Sequence, residues 1–371
     1  MNIIAKHWKE ILTTCLNSGV SFAVYREPGS LRGKIIIQSD YHDREKKKFS
    51  ISDCKGFVFI PFETTRLNKK ILIRGDVIAF SDEILPGTVK IAETRIPYKT
   101  RKCNLHFADA EEYCDQVETA VDNMKTSPLK KVVLSRIQKQ TKPEDFDVLD
   151  FFENICGTLP DAFCYVCFHP SAGLWCGASP ELLMKFDGNS IETVSLAGTR
   201  AMENKTPVEV HWNDKEITEQ QLVSDYILEI LKGSDIKELS IQGPFTARAG
   251  NLVHLKTTFR SIVEESFNYQ HLADILHPTP AVCGLPKALA MNFIGQTENH
   301  SRNYYAGYAG PVNIDIPALF HVNLRCMQVF DDTLALYVGA GITIDSDPLS
   351  EWKETCHKAT TLIKILEKDK K

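Results

Sequence analysis

The sequence predicts an α+β protein, a single large domain over residues 1–371 in which antiparallel β-sheets pack together and helices flank them. Two patterns lead there. Short strand-like runs follow one another as hairpins, with few of the strand–helix–strand units that build a parallel sheet. Apolar residues at helical spacing occur in separate segments between those runs, the longest at the C-terminal end. No internal repeat, low-complexity stretch or linker divides the chain.

Composition narrows the function classes. Of 371 residues, 43% are hydrophobic and 25% charged, the profile of a globular protein. The net charge is −5 with no long basic run, which argues against nucleic acid as a partner. No apolar stretch reaches the ~18 residues of a membrane span. The start, MNIIAKHWKEILTTCLNSG, has helical periodicity and an acid, and lacks the regions of a signal peptide. The eleven cysteines are an odd, scattered set. Cys164 and Cys167, in FCYVCF, fall on opposite faces of a strand and cannot share a metal there. Reduced thiols and a cytoplasmic location are expected.

Residues 1–105 read as a β-rich part, through SFAVYRE, GKIIIQS, GFVFIPF and DVIAFS. Tyr41–Phe49 reads as a polar loop and Lys99–Cys103 as a short basic segment. A helix is expected over Asp109–Met124, with Phe107 just before it as a staple-like residue. LKKVVLSR, Leu129–Arg136, follows as a buried strand. Asp147–Ile155 reads as a helix with Phe151, Phe152 and Ile155 on one face. The strands DAFCYVCFHP and AGLWCGASP come next, then the pair in ELLMKFDGNSIETVSLAG, joined at Asp187-Gly188. A polar loop over Ala201–His211 leads to a helix over Asn213–Leu231. Strands ELSIQGPFTARAG and LVHLKTTFRSIV precede helices at His271–Leu276 and Pro286–Phe293. Three strands are expected in YAGYAGPVNI, ALFHVNLRCMQVF and TLALYVGAGITI, and a long helix over Pro348–Glu367. Ser346 or Asp347 suits its N-cap.

Several polar residues invite a chemical reading. Lysine is seldom fully buried, yet Lys131 heads an apolar strand. It is either a surface residue where the strand emerges or an amine held dry to work as a base. Glu216 and Glu219 are three apart on one helix, and Glu351 and Glu354 on another, with Lys358 four beyond Glu354. These are solvated faces, or four acids around a cation; hard oxygen ligands without His or Cys favour Mg²⁺. Glu181 begins an apolar strand, where a raised pKa suits a general acid. Gly339-Ala340-Gly341 ends another, where backbone N–H groups can approach an anion, or simply turn. Arg325, read as lying inside a strand, needs a carboxylate. His277 lies on the loop before Pro278.

Taken in order, KVVLSR, GASPELL, SLAGTR, DKEITEQQLV, HPTPAVCGLPK, YYAGYAG, VNLRCMQV, YVGAGIT and SDPLSEWKET resemble the landmarks of the chorismate-utilising enzymes. The likeness covers Lys131 to the C-terminus, within a catalytic part over residues 106–371; the N-terminal third matches loosely, through GFVFIPF. In this family the anthranilate-type members usually carry glutamine at the position of Lys131. Aminodeoxychorismate synthases carry a nucleophilic lysine at the position of Ala197. Lysine at 131 with alanine at 197 is the pattern of members that use water, the isochorismate and salicylate synthases.

The resemblance thus implies an isochorismate synthase, with salicylate synthase as the near alternative and an ammonia-using subunit with a glutaminase partner as the distant one. It implies Lys131 as the water-activating base and Glu181 as the general acid. Glu219 and Glu354 would bind Mg²⁺ directly, with Glu216 and Glu351 around it through water. Thr199, His277, Tyr305, Arg325, Gly339, Gly341 and Lys358 would line the chorismate site. One departure is Gln220, where the family often has histidine. Lys131 would need desolvation to lower its pKa from ~10.4. The resemblance also implies a monomer with no obligatory glutaminase, feeding menaquinone or a catechol siderophore.

Overall fold

The computed structural model describes residues 3–39, 51–83, 101–201, 210–249 and 252–368. The loop expected over Tyr41–Phe49 lies outside the described residues, as do most of the loop over Ala201–His211 and the start of the Lys99–Cys103 segment.

Two antiparallel sheets form the molecule, with nine strands in one and eight in the other among the described residues. The N-terminal helix α1 (Lys6–Asn17) buries Trp8, Leu12 and Cys15, at i, i+4 and i+7. Five strands follow: β1 (Phe22–Arg26), β2 (Lys34–Ile37), β3 (Gly56–Ile60), β4 (Ile71–Arg74) and β5 (Val77–Phe80). β4 is an addition to the expected runs. β1, β2 and β5 extend the nine-stranded sheet, and β3 and β4 the eight-stranded one.

Helix α2 (Ala110–Thr126) is capped by Asp109, whose side chain accepts from Glu112 N. It leads into β6 (Lys131–Thr141), and α3 (Val148–Thr158) fully buries Phe151, Phe152 and Ile155 as expected. In β7 (Phe163–His169), period-two alternation divides the side chains between two cores. Phe163, Tyr165 and Cys167 join the core between the sheets; Cys164, Val166 and Phe168 join the one under α1 and α3. β8 (Gly173–Ser179) precedes the hairpin of β9 (Leu182–Phe186) and β10 (Ser190–Ala201). Its turn is held by Asp187 Oδ1, which accepts from Asn189 N and Ser190 N, while Gly188 takes φ +105°.

Helix α4 (Asp214–Lys232) packs on β10 and on β12 (Leu252–Ile262), the partner of β11 (Leu239–Ala249). Helix α5 (Tyr269–Leu276), the two-residue β13 (Gly284–Leu285) and α6 (Lys287–Thr297) follow. The chain then runs through β14 (Tyr308–Val312), β15 (Ala318–Val322), β16 (Cys326–Val329) and β17 (Thr333–Ile342). The final helix α7 (Pro348–Lys368) is capped by Asp347, whose Oδ1 accepts from Ser350 N.

One expectation is corrected here. ALFHVNLRCMQVF is two strands, and they belong to different sheets: β15 lies in the eight-stranded sheet and β16 in the nine-stranded one. The chain crosses between them at Asn323–Arg325, and Arg325 takes φ +46°. Arg325 therefore stands at a corner and not inside a strand. Apolar residues are buried on both sides of the corner, so the hydrophobic pattern runs through it unbroken.

Candidate active site

A second crossing lies beside the first. β8 ends in the nine-stranded sheet, Pro180 and Glu181 turn the corner, and β9 begins in the other. The two corners pin each other. Ser179 Oγ donates to Val322 O (2.5 Å), Val322 N to Glu181 O (3.0 Å) and Ala178 N to Arg325 O (3.1 Å). A cavity opens here, lined by Glu181 and Arg325 from the corners. β16 pairs with β17 only as far as Cys326–Tyr337. Beyond that point the edge of β17 is free of β16, and Val338, Gly339 and Gly341 face the cavity.

The two lysines of LKKVVLSR part company. Lys130 is exposed, whereas Lys131 is fully buried. Alternation along β6 places Lys131 on the same face as Val133, which lines the cavity. Lys131 Nζ lies 2.9 Å from Glu219 Oε1 of α4, an ion pair without hydrogen-bond geometry. Gly341 leaves room for this pair: a Cβ there would stand 2.6 Å from Glu219 Oε1 and 3.2 Å from Lys131 Cε. Gly339 makes room likewise for Tyr305 Oη, which a Cβ would meet at 2.9 Å. Tyr305 and Glu219 both line the cavity.

Glu181 is 3% exposed. Burial pushes its carboxyl up to about 8 against the opposing pull of the Lys131 and Lys358 ammonium groups. It is therefore mostly the neutral acid at pH 7. On α7, Glu354 Oε1 forms an ion pair with Lys358 Nζ (2.7 Å), which donates to Gly339 O (2.8 Å). Arg325 Nη2 donates to His254 Nε2 (3.0 Å), and His254 Nδ1 donates to Gly198 O (2.9 Å). Burial, with Arg325 and Lys358 nearby, pushes His254 down to about 3, so the ring is neutral and can accept from the guanidinium. Lys358 and Arg325 line the cavity beside Glu219, Glu354 and the neutral acid Glu181, and their donors suit an anionic guest.

Other sequence candidates lie elsewhere. Glu216 does not line the cavity; it pairs with Arg200 Nε (3.0 Å) and accepts from Asn213 N (3.0 Å) at the start of α4. Glu351 is buried on α7, close enough to act on Tyr113. His277 is not brought to the cavity. Its Nε2 lies 3.2 Å from the carbonyl oxygens of Pro61 and Phe62, and its own carbonyl accepts from Lys287 Nζ. Gln220 turns inward, donating to Ser195 Oγ (2.8 Å). Thr199 lies on the β10 bulge between Ala197 and Arg200; its side chain is outside the described residues. Among the described residues no group of three or more His, Cys, Asp or Glu is gathered as a metal cage. Glu219 and Glu354 alone of the four acids line the cavity. They fit a Mg²⁺ held by one or two carboxylates with water and substrate oxygens, and do not make a four-carboxylate cage.

Two features escaped the sequence reading. His254 looks like any polar residue of an alternating strand. Glu298 and Arg302, four residues apart, resemble a surface ion pair, yet both are buried against β6.

Fold and cavity together define a class: a double-sheet α+β protein with an interior site suited to a small anion. Within that class the chain belongs to the chorismate binding enzymes, whose family model matches residues 82–367. It is similar to the isochorismate synthase EntC of Escherichia coli, 28% identical over 246 residues, 65% of this chain and 63% of that protein. It is also similar to anthranilate synthase component 1 of Streptomyces coelicolor, 28% identical over 314 residues, 80% of this chain and 58% of that protein. The matched stretch thus spans under two thirds of either relative. Among solved structures, MenF, the menaquinone-specific isochorismate synthase of Escherichia coli, superposes with a TM-score of 0.75 at 20% identity, over 94% of this chain and 89% of that one. That likeness establishes the fold. No helix among the described residues is long and apolar enough to cross a membrane.

Proposed function

We propose that this chain is a Mg²⁺-dependent isochorismate synthase, working without a glutaminase partner. The observation that carries the reading is a buried carboxylic acid, Glu181, lining the cavity, with the buried lysine Lys131 close enough to act on its charge. Ala197, which also lines the cavity, offers no side-chain amine to attack the ring, and with Lys131 in place of a glutamine it supports water as the nucleophile.

In this reading Lys131, in its neutral form, takes a proton from water as the oxygen bonds to C2 of chorismate. The ring double bonds shift, the C4–O bond breaks, and Glu181 gives its proton to the departing hydroxyl, which leaves as water. One water enters and one leaves, so the product is an isomer and no redox cofactor is needed. Arg325, with the Gly339–Gly341 edge, suits the pyruvyl carboxylate. Glu219 and Glu354 would hold the Mg²⁺, whose charge would offset that of the ring carboxylate.

The test is to incubate the purified protein with chorismate and Mg²⁺, without ammonia or glutamine, and to identify the products by chromatography. Isochorismate, lost on chelation, is expected. Anthranilate, aminodeoxychorismate or no turnover would sink the proposal, and salicylate with pyruvate would replace it with the salicylate synthase reading.

A further inference from the structure

The outer edge of β6 has little strand to pair with. β13 covers only Lys131 and Val132, and Cys283 O accepts from Val133 N (2.7 Å). Further along, side chains replace the strand. Arg302 Nη2 donates to Val133 O (2.6 Å), and Glu298 Oε1 accepts from Ser135 N (2.6 Å). The two side chains are 3% and 2% exposed and hold each other twice, Nη2 to Oε1 at 2.5 Å and Nε to Oε2 at 2.8 Å. The remaining arm of the guanidinium, Nη1, donates to Val282 O (2.8 Å). Val133 and Val282 both line the cavity.

We propose that Glu298 and Arg302 are positioning residues: as a pair they stand in for an edge strand along β6 and set the spacing between the two cavity walls at Val133 and Val282. Neither touches the cavity. One planar guanidinium reaches carbonyls on both walls, and the carboxylate fixes its plane while completing the ladder at Ser135. A lysine, with a single donor point, cannot span both carbonyls. A glutamine would keep one acceptor for Ser135 but put an amide N–H₂ where the guanidinium needs an oxygen. On the other side of β6, Ser135 and Val133 pair with Gly339 and Gly341. A shift of β6 would therefore move Lys131 and the glycine edge together. The consequence for catalysis rests on the role proposed above for Lys131.

The experiment compares Glu298→Gln, Glu298→Ala and Arg302→Lys with wild type. The measurements are kcat and KM for chorismate, circular dichroism for folding, and amide hydrogen exchange over Lys131–Ser135. The expected result is a kcat lower by about 10- to 100-fold, the range a displaced group produces, with KM within about threefold. Exchange over Lys131–Ser135 should quicken, and Glu298→Gln should retain more activity than Glu298→Ala. Folded variants that keep wild-type kcat, or unchanged exchange in that stretch, would overturn the proposal. If wild type itself does not turn over chorismate, the functional reading fails, and exchange over Lys131–Ser135 alone decides the positioning role.

Discussion

The N-terminal third and the cavity end of the sheets are built from the same kind of strand and hold very different residues. The described residues between 3 and 83 contribute β1, β2 and β5 to one sheet and β3 and β4 to the other, and none of the residues that line the cavity. Their interior is aromatic. Tyr25 of β1 meets Phe57 of β3 at 5.8 Å between ring centroids, and Phe59 stacks on Tyr304 at 4.3 Å. At the cavity end, a strand of equal burial carries Lys131 and Ser135, and the corner beside it carries Glu181. Burial alone thus constrains the first region only to apolar and well packed. The second region is constrained atom by atom, because each buried polar group needs a partner at a fixed place. The family model, which begins at residue 82, follows this division.

The contrast can be tested from both sides. The largest effect is expected at the cavity. Lys131→Ala and Glu181→Gln should each lower kcat by ~10²–10⁴-fold, the usual contribution of an acid or base, with the circular dichroism of wild type. Steady-state kinetics beside equilibrium binding of chorismate checks this, and turnover near wild type in either variant would refute the assigned role. Phe57→Ala should do the reverse. Removing a fully buried ring costs about 3–5 kcal/mol of stability, measured by denaturant unfolding, while kcat of the folded protein stays within about twofold, since distant sites act independently. A large loss of kcat at full folding would dissolve the distinction between the two regions.

A smaller and graded effect is expected from pH. Glu181 is raised to about 8 by burial, so the proton-donating form dominates below that pH and is lost above it. The rate should fall about tenfold per unit above pH 8. The same group affects stability. Its unfolded pKa is ~4.3, so between there and 8 the folded state binds more protons than the unfolded one, and stability declines as pH rises through that window. Glu181→Gln should abolish this decline along with most of the turnover. Melting curves of both proteins from pH 5 to 9 read it, and parallel curves would show that Glu181 is ionised in the fold.

Much of this was legible in the sequence where a local signal existed. The cap of α7, offered by the sequence as Ser346 or Asp347 and taken by Asp347, the Asp187-Gly188 turn and the two faces of FCYVCF each follow from a few adjacent residues. The corner at Asn323–Arg325 was not legible, because the apolar pattern continues through it. Spacing put Glu216 and Glu219 on one face of α4, but it could not tell that the nearby Arg200 holds Glu216 away from the cavity. Glu298 and Arg302 were invisible for a related reason: an acid and a base four apart look the same in solvent and against a strand. Local pattern reports which face a residue takes, and only tertiary structure reports what waits on that face.

The N-terminal strands have one more consequence, for how far the molecule can be cut. β1 lies against β7, and β3 against β14, so residues 3–83 cover one flank of each sheet. A fragment trimmed to the span of the family model would carry the cavity-lining residues and yet lay bare two rows of unpaired backbone, along Cys164–Phe168 and Tyr308–Val312. Uncovered edges of that kind recruit strands from other chains. The stretch that sequence likeness marks out thus holds the cavity without the strands that cover its sheet edges, and removal of the N-terminal third is expected to favour self-association.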